Sequence, residues 1–175
     1  MGVIKVDLNG RDALVTGAGK GIGRAIALSL ARSGARIFAV SRTESDLEGL
    51  KQEVEFEKGV CVPLVCDVAR IESIENMAAA VAEKAGYVDI VVNSAGINIQ
   101  SHTLEISEDQ WDLIMNTNLK GSFFVSQAMA KLMKEKGSGG KIIFITSQMS
   151  FVGFFRRTAY CASKGGITQA AKAMA

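Results

Sequence analysis

The sequence contains few of the residues on which disulfide-rich and metal-binding proteins depend: three cysteines, one histidine and one proline. Because the number of cysteines is odd, and Cys61, Cys66 and Cys161 lack the spacing of metal ligands, we expect neither a disulfide framework nor a metal site. We interpret these cysteines as core residues in a reducing, cytoplasmic environment. His102 has no second ligand near it and is expected to lie in a loop.

Strong charge and long apolar runs are also absent. The net charge is +2, so the sequence does not indicate binding to nucleic acid or to an anionic membrane. No apolar run reaches the ~18–20 residues that a membrane-spanning helix needs. Apolar residues still make up 48% of the chain, which is enough for a sizeable core. We therefore predict a single domain over residues 1–175, with neither a nucleic acid nor a membrane as its partner.

Short apolar segments alternate with segments of helical periodicity. After the first apolar segment, Ile22, Ile26 and Leu30 recur every four residues, which indicates a helix. This alternation predicts a parallel sheet with helices on both faces, which is the α/β, doubly wound (Rossmann) fold. Pro63 has no N–H group to donate, which places its strand near an edge of the sheet. The predicted strands are residues 12–17, 35–41, 59–66, 88–93 and 140–147.

Two helices are predicted to begin at capping boxes, in which a hydroxyl side chain precedes an acidic or amide side chain by three residues. Thr43 and Asp46 form the first such pair, and Ser107 and Gln110 form the second. The second pair is predicted to open one long helix that continues to about Lys136. A further helix is predicted over residues 158–175.

A glycine-rich segment, TGAGKGIGRAIA (residues 16–27), joins the first predicted strand to the first helix. Glycines at such a turn allow the backbone to approach a diphosphate, and the N-terminus of the helix supplies free N–H groups. The position between a strand and a helix therefore indicates a dinucleotide site. A tight turn that binds nothing is the alternative.

The segment TAYCASKGG (residues 158–166) places Tyr160 four residues before Lys164. On a helix the two side chains would lie on one face, where the positive charge favours the phenolate form of the tyrosine. Such a pair is suited to general acid–base chemistry. The same spacing often occurs by chance, so a surface tyrosine beside a surface lysine is the alternative. The next two residues, Gly165 and Gly166, indicate close packing of this helix against a neighbour.

Several motifs, in the same order, resemble those of the short-chain dehydrogenase/reductase family. The glycine spacing is Thr-Gly-x-x-x-Gly-x-Gly, and NSAG (residues 93–96) is similar to the family's Asn-Asn-Ala-Gly motif, from which Ser94 departs. The resemblance extends from about Asn9 to the end of the chain. The family's catalytic positions are occupied by Asn118, Ser147, Tyr160 and Lys164.

The resemblance implies that Tyr160 is the general acid or base and that Ser147 binds the substrate oxygen. Lys164 would favour the phenolate form of Tyr160 and hold the ribose next to the nicotinamide. Asn118 would take part in a water-mediated proton relay with Lys164. Gln148 follows the catalytic serine and is expected to bind a substrate hydroxyl, although the sequence leaves this open.

Asn118 also stands out without the family, because it shares a seven-residue spacing with Trp111, Val125 and Leu132. On one continuous helix this spacing places its amide in an otherwise apolar stripe. A buried amide must find hydrogen-bond partners. An asparagine that only satisfies the core is therefore the alternative to a catalytic role.

The end of the second predicted strand, Ser41-Arg42, has an arginine where NAD-binding proteins normally have an acid, and no acid occurs before Glu44. Arg42, with Lys20 from the glycine loop, is suited to bind a 2′-phosphate, which predicts NADP(H) as the cofactor. An arginine that stacks on the adenine or faces solvent is the alternative. In the family the residue matching Asp67 binds the adenine, although Asp67 is also suited to cap the following turn.

The expected cofactor contacts come from the glycine loop and from the segments that follow the strands. They are Gly17, Gly19, Lys20, Gly21, Ile22, Gly23, Ser41, Arg42, Asp67, Val68, Asn93, Ala95, Gly96, Tyr160 and Lys164.

The resemblance implies an oxidoreductase that transfers a hydride between NADP(H) and a small alcohol or ketone, such as a polyol or a sugar. The segments TGAGKGIGR and SRTESDLEGL are most similar to NADPH-dependent carbonyl and L-xylulose reductases, and later stretches to bacterial polyol and sugar dehydrogenases. A 3-oxoacyl carrier-protein reductase and a non-catalytic NADP(H)-binding subunit are the alternatives. The resemblance also implies a homo-oligomer, either a dimer or a tetramer, and a sequence that is C-terminally truncated relative to the family.

Overall fold

The sheet has five strands in the order β3-β2-β1-β4-β5, and each neighbouring pair is parallel. The computed structural model describes residues 6–137 and 139–175, so residues 1–5 and 138 of the predicted domain lie outside the described residues. The strands are β1 (Asp12–Thr16), β2 (Arg36–Ser41), β3 (Cys61–Val65), β4 (Ile90–Asn93) and β5 (Lys141–Phe144).

Helices connect the strands and cover both faces of the sheet. A π-helical segment (Asn116–Gly121) joins two of them, and a 3₁₀ turn (Gln148–Ser150) follows β5. Within the described ranges, none of the helices combines the length and the hydropathy that crossing a bilayer requires. The helices are α1 (Gly21–Arg32), α2 (Glu44–Phe56), α3 (Ile71–Ala85), α4 (Glu108–Met115), α5 (Ser122–Lys136) and α6 (Thr158–Met174).

The order of the strands reverses next to β1. The chain runs outward from β1 through β2 to β3, and then returns to place β4 on the other side of β1. A crevice forms where the order reverses, at the carboxyl ends of β1 and β4, and ligands of such sheets bind there. The predicted doubly wound α/β fold is therefore confirmed, and Pro63 lies in the edge strand β3, as predicted.

Successive residues of β1 pack into two separate apolar cores. Leu14 contacts the core that includes Phe38 and the inner faces of α3 and α5. Ala13 and Val15 contact the opposite core, which includes Ile37 and the inner faces of α1 and α2. Burying one large apolar side chain contributes about 1.5–3 kcal/mol, so both cores stabilise the strand that carries the glycine loop.

Cys61 and Cys66 are buried in these cores, as predicted. The prediction was wrong for Cys161, which lies in α6, is only partly buried and belongs to neither core. Burial raises the pKa of Cys61 to about 11, because a thiolate would lose its solvation there. Burial also raises the pKa of Cys66. Both thiols are therefore packing groups rather than nucleophiles at neutral pH. His102 lies in the loop that follows β4, as predicted.

One predicted capping box forms and the other does not. The Gln110 N–H donates to Ser107 Oγ (3.2 Å), and the Ser107 N–H donates to Gln110 Oε1 (3.3 Å), as predicted. The prediction for Thr43 and Asp46 was wrong, because the Thr43 side chain makes no capping bond at α2. Asp46 pairs with Lys20 of the glycine loop instead, which is a partner that local sequence does not indicate.

Most strand ends lie within two residues of their predicted positions, and two predicted elements differ more. The strand predicted to reach residue 147 ends at Phe144, because Ser147 already caps the 3₁₀ turn. The single helix predicted to run as far as Lys136 is divided into α4, the π-helical segment and α5. This division determines where Asn118 points.

Candidate active site

A cleft of about 550 Å³ runs along the carboxyl ends of the strands. It is lined by the glycine loop, by residues that follow β2, β4 and β5, and by the first turns of α6. It therefore lies at the reversal of strand order, as expected for a ligand site in such a sheet. The predicted site residues that line it are Gly17, Lys20, Ile22, Gly23, Ser41, Arg42, Ala95, Gly96, Tyr160 and Lys164.

A larger hollow, of about 620 Å³, lies at the amino ends of β1, β2 and β3. Its arginines already bind carboxylates: Arg36 pairs with Asp12 and Arg32 with Glu57, each at 2.6 Å. The charges of these arginines are therefore already partnered by the protein itself. We therefore place the candidate site in the cleft at the carboxyl ends.

The glycine loop leaves its backbone accessible to a ligand. Gly17 has a φ of 67°, and a Cβ at this residue would lie 2.9 Å from Ala95 Cα, so a side chain does not fit. A Cβ at Gly23 would overlap the Gly17 carbonyl group. No side chain caps the N-terminus of α1, which leaves its first N–H groups free to bind an anion. The loop thus fits the diphosphate of a dinucleotide.

The segment after β4 is fixed to the end of β1 by one hydroxyl group. The N–H groups of Ser94 and Ala95 both donate to Thr16 Oγ1, each at 3.1 Å. Asn93 turns the other way: its amide donates to Ser126 Oγ (2.8 Å) in α5. Its side chain therefore holds the sheet to a helix and does not line the cleft. Thr16 is therefore a positioning residue; it is the first residue of the glycine motif, but the sequence indicated no role for its side chain.

Asn118 links the loop after β4 to α6. The Ile97 N–H donates to Asn118 Oδ1 (2.8 Å), and Asn118 Nδ2 donates to the Ile97 carbonyl (2.9 Å) and to Ser163 Oγ (3.0 Å). Its side chain is 1% exposed. Because it lies in the wider π-helical turn, its amide is satisfied by backbone and helix at once. The Asn118 amide therefore has the hydrogen-bond partners that its burial requires.

Tyr160 and Lys164 lie on one face of α6, as their spacing predicts. Lys164 Nζ is 5.8 Å from the centre of the Tyr160 ring and donates to the Ile145 carbonyl at 2.7 Å. Lys164 is only 7% exposed, and this burial lowers its pKa. A positive charge is thus held beside the phenol in a partly desolvated position, where it acts more strongly than on the surface.

Ser147 begins the segment that follows β5. Its Oγ accepts from the Met149 N–H (3.2 Å), and its own N–H donates to Ser150 Oγ (3.4 Å). Ser150 in turn donates to the Lys164 carbonyl (3.0 Å), which fixes the segment to α6. Ser147 directly follows Thr146, which lines the cleft, and Gln148 is exposed in the 3₁₀ turn. Nothing in the sequence indicated that Ser150 holds this segment in place.

The corner of the cleft beside β2 contains two cations and an acid. Lys20 Nζ lies 3.2 Å from the Asp46 carboxylate, and both residues line the cleft with Arg42. A Cβ at Gly19 would lie 2.9 Å from Asp46 Cβ and from Ser41 Oγ, so only glycine allows α2 to approach the loop. The sequence placed no acid here, because Asp46 was interpreted as a cap of its own helix.

Asp67 adopts the capping geometry that was one of its two predicted roles. The Ala69 N–H donates to Asp67 Oδ1 (3.1 Å), and the Asp67 N–H donates to Ser73 Oγ (3.0 Å). Val68 lies next to a small cavity of about 120 Å³ that adjoins the cleft at Gly17 and Arg42. Thr117 also lines this cavity, and its buried hydroxyl has no hydrogen-bond partner among the described residues.

Exposed aromatic side chains follow the 3₁₀ turn. Phe151, Phe154 and Phe155 are exposed, and His102 packs edge-on against Phe155 with ring centres 5.9 Å apart. The Ser101 N–H donates to the Arg156 carbonyl (3.1 Å), so the loop after β4 contacts the loop after β5. The two loops line the cleft at residues 94–98 and 145–146, which precede these contacts along the chain.

The sequence and the fold are both similar to those of known proteins. The family model for short chain dehydrogenases matches residues 11–175. Over 168 residues the chain is 42% identical to a D-threitol dehydrogenase from Mycolicibacterium smegmatis, covering 96% of this chain and 64% of that protein. It is 39% identical to an L-xylulose reductase from Mesocricetus auratus, covering 96% of this chain and 66% of that protein.

Among solved structures, the chain is similar to a gluconate 5-dehydrogenase from Burkholderia cenocepacia in complex with NADP and tartrate. The TM-score is 0.91 at 35% identity, covering 97% of this chain and 66% of that chain. The chain thus spans 64% to 66% of the length of these relatives. Since the family model matches nearly all of the sequence and the fold and glycine loop agree with it, the chain belongs to the short-chain dehydrogenase family.

Proposed function

We propose that the chain is the dinucleotide-binding and catalytic part of an NADP(H)-dependent oxidoreductase that interconverts a small alcohol and its carbonyl compound. The observation that carries the proposal is the position of Tyr160 and Lys164, which border the same cleft as the glycine loop. The names of the relatives favour a polyol or a sugar as the substrate, namely threitol, xylulose and gluconate.

The described residues fit a nicotinamide dinucleotide at several points. The glycine loop and the N-terminus of α1, with Gly19, Gly21 and Ile22 among its residues, would hold the diphosphate. Lys20, Ser41 and Arg42 would bind the 2′-phosphate, and Asp67 with Val68 would contact the adenine. Ala95, Gly96, Tyr160 and Lys164 would hold the ribose next to the nicotinamide, and Asn93 would act through its backbone. When bound, this cofactor supplies or accepts the hydride.

Tyr160 would transfer the proton. Its phenol donates a proton to the carbonyl oxygen during reduction, and its phenolate accepts the hydroxyl proton during oxidation. Lys164 supports both directions because its ammonium group stabilises the phenolate. Burial lowers the pKa of Lys164, so it loses its proton more readily than a surface lysine, and the hydrogen bond to the Ile145 carbonyl fixes its position.

Ser147 and Asn118 would position the reacting groups. The Ser147 hydroxyl would donate a hydrogen bond to the substrate oxygen and so stabilise the negative charge that develops on it. Asn118 holds the loop after β4 against α6, and in the relay proposed for it would also pass protons toward Lys164 through water. Gln148 is exposed next to Ser147 and would bind a second substrate hydroxyl.

The first test is a calorimetric titration of the chain with NADPH and, separately, with NADH. Tight binding of NADPH and weak binding of NADH would support the proposed cofactor. A preference for NADH would overturn the cofactor assignment. Binding of neither would overturn the proposal that this chain forms the site.

The second test measures turnover of D-threitol with NADP⁺ and of L-xylulose with NADPH. We expect Tyr160→Phe to abolish turnover while NADPH still binds, because only the ionisable hydroxyl is removed. Tyr87→Phe is the matched control, since Tyr87 packs against the core and not in the cleft. Substantial turnover by Tyr160→Phe would contradict the assigned proton transfer.

The whole protein's assembly and location are also proposals. We propose a homo-oligomer, a dimer or a tetramer, in the cytoplasm. Size-exclusion chromatography with light scattering would test the oligomeric state.

A further inference from the structure

An acid lies in the corner of the cleft that we assign to the 2′-phosphate. Asp46 is in the first turn of α2, and its carboxylate is 3.2 Å from Lys20 Nζ. Ser41 and Arg42 line the same corner. A phosphate that approaches these cations therefore also approaches a negative charge, which is an arrangement that does not favour a dianion.

We propose that Asp46 is a specificity-determining residue, which weakens the binding of a 2′-phosphate by pairing with Lys20. The inference rests on the proposed use of NADP(H). Lys20 is one of the cations assigned to the phosphate, and its charge is already shared with a carboxylate before a nucleotide arrives.

The two partners differ in how firmly they are held. The Asp46 side chain is 21% exposed and lies on a helix, whereas the Lys20 side chain is 79% exposed. Gly19 allows Asp46 Cβ to lie against the glycine loop, so the backbone of α2 holds the carboxylate next to Lys20. The carboxylate is thus the fixed partner, and Lys20 must divide its charge between Asp46 and any phosphate.

A ribose that lacks the 2′-phosphate is affected differently. Its 2′-hydroxyl carries no charge, so the carboxylate does not repel it. Asp46 therefore lowers the affinity for the 2′-phosphorylated nucleotide alone, and so reduces the ratio by which the chain would prefer NADP(H) over NAD(H). The same corner would discriminate more strongly without the acid.

The test uses two nucleotides that differ only in the phosphate, adenosine 2′,5′-bisphosphate and adenosine 5′-monophosphate. Their dissociation constants are measured by calorimetry at low ionic strength, where surface electrostatic effects are largest. We expect Asp46→Asn to bind the bisphosphate roughly fivefold more tightly and to bind the monophosphate as the wild type does. Unchanged or weaker binding of the bisphosphate would overturn the inference.

Glu48→Gln is the matched control, because it removes the same charge from an exposed position of the same helix. It should leave both dissociation constants within about twofold. A gain as large as that of Asp46→Asn would attribute the effect to net charge and overturn the inference. If Asp46→Asn is poorly folded, Asp46→Ser repeats the measurement, since serine is also accepted in the first turn of a helix.

The pairing with Lys20 is tested in a double-mutant cycle. In a Lys20→Gln background, Asp46→Asn should raise the affinity for the bisphosphate less than it does in the wild type. An equal gain in both backgrounds would overturn the pairing.

The outcomes separate this inference from the proposed function. If the wild type binds both nucleotides equally, the preference for NADP(H) fails, and a gain on Asp46→Asn still supports the role of Asp46. If the wild type prefers the bisphosphate and Asp46→Asn does not improve its binding, only the inference fails. Binding of neither nucleotide by the wild type and the variants would overturn both.

Discussion

The two halves of the cleft hold their side chains in different ways. One half, which we call the catalytic half after its proposed role, is lined by Tyr160 and Lys164, with Asn118 and Ser147 next to them. It is held by hydrogen bonds that connect the segments after β4 and β5 to α6. The nucleotide half, formed by the glycine loop (residues 16–23) and residues 41–46, is shaped by backbone packing, and its cations Lys20 and Arg42 are exposed. The polar side chains of the first half are therefore partly or fully buried, whereas the cations of the second half face solvent.

Because of this difference, we expect substitutions in the two halves to affect different properties of the protein. In the catalytic half, a changed side chain leaves buried polar groups without partners and affects folding. In the nucleotide half, a changed cation affects ligand preference and leaves the fold intact. The free energy of unfolding, measured in urea, distinguishes the two cases.

The largest effect is expected for Asn118→Ala. This variant removes the partners of the Ile97 N–H, the Ile97 carbonyl and Ser163 Oγ, so the free energy of unfolding should fall by about 3 kcal/mol. Asn116→Ala, in the same π-helical segment, is the control and should cost less than about 1 kcal/mol. Equal losses would show that the segment, rather than the amide, is what matters.

Gly23→Ala tests the backbone of the nucleotide half. The added Cβ would overlap the Gly17 carbonyl, so the free energy of unfolding should fall by about 2 kcal/mol. Gly49→Ala is the control, since a Cβ at this position of α2 meets nothing within 4 Å and should raise stability by up to about 1 kcal/mol. A neutral result for Gly23→Ala would mean that the loop is less tightly packed than described.

The burial of Lys164 makes the free energy of unfolding depend on pH. Burial lowers its pKa below that of the unfolded chain, so the unfolded state binds more protons between the two values. The folded state should therefore gain stability as the pH rises through this interval, which ends near the lysine reference pKa of ~10.4. Urea unfolding is measured for the wild type and Lys164→Met from pH 7 to 10.5, and the stability of the wild type relative to the variant should rise with pH. The buried thiols of Cys61 and Cys66 lower stability at high pH in both proteins and cancel in this difference. Parallel curves would contradict the burial of a charged Lys164.

The smallest effect on folding is expected for Arg42→Ala. Because Arg42 is exposed, the free energy of unfolding should change by less than about 0.5 kcal/mol. The affinity for adenosine 2′,5′-bisphosphate should nevertheless fall by about tenfold, as a lost charged hydrogen bond implies. Binding of adenosine 5′-monophosphate is the control and should not change. A loss for both nucleotides would place Arg42 on the adenine.

The sequence predicts the fold well because strands and crossovers follow local patterns. Apolar segments such as β1 end at glycine, the connections are helical, and the rule of right-handed crossovers leaves few alternatives. The same reason explains why the sequence identifies the glycine loop and the pair of Tyr160 and Lys164 as site residues. Each of these motifs depends on the spacing of residues that are close together in the sequence. Their adjacency in the cleft then follows from the topology.

The features that could not be predicted depend on partners far along the chain. The spacing of Trp111, Asn118 and Val125 fits one continuous helix, yet the helix widens at Asn118, where the amide meets Ile97 and Ser163. Asp46 was expected to cap its own helix, but it pairs with Lys20, which lies 26 positions earlier in the sequence. In both cases a tertiary contact outweighs a local preference.

The hydroxyl group of Thr16 has a consequence for how a nucleotide binds. By accepting from the N–H groups of both Ser94 and Ala95, it joins the end of β1 to the end of β4, so that the floor of the cleft is one rigid piece. The conformational entropy of this floor is lost when the chain folds and not when a ligand arrives. Preorganisation of this kind strengthens binding without adding a single contact to the nucleotide.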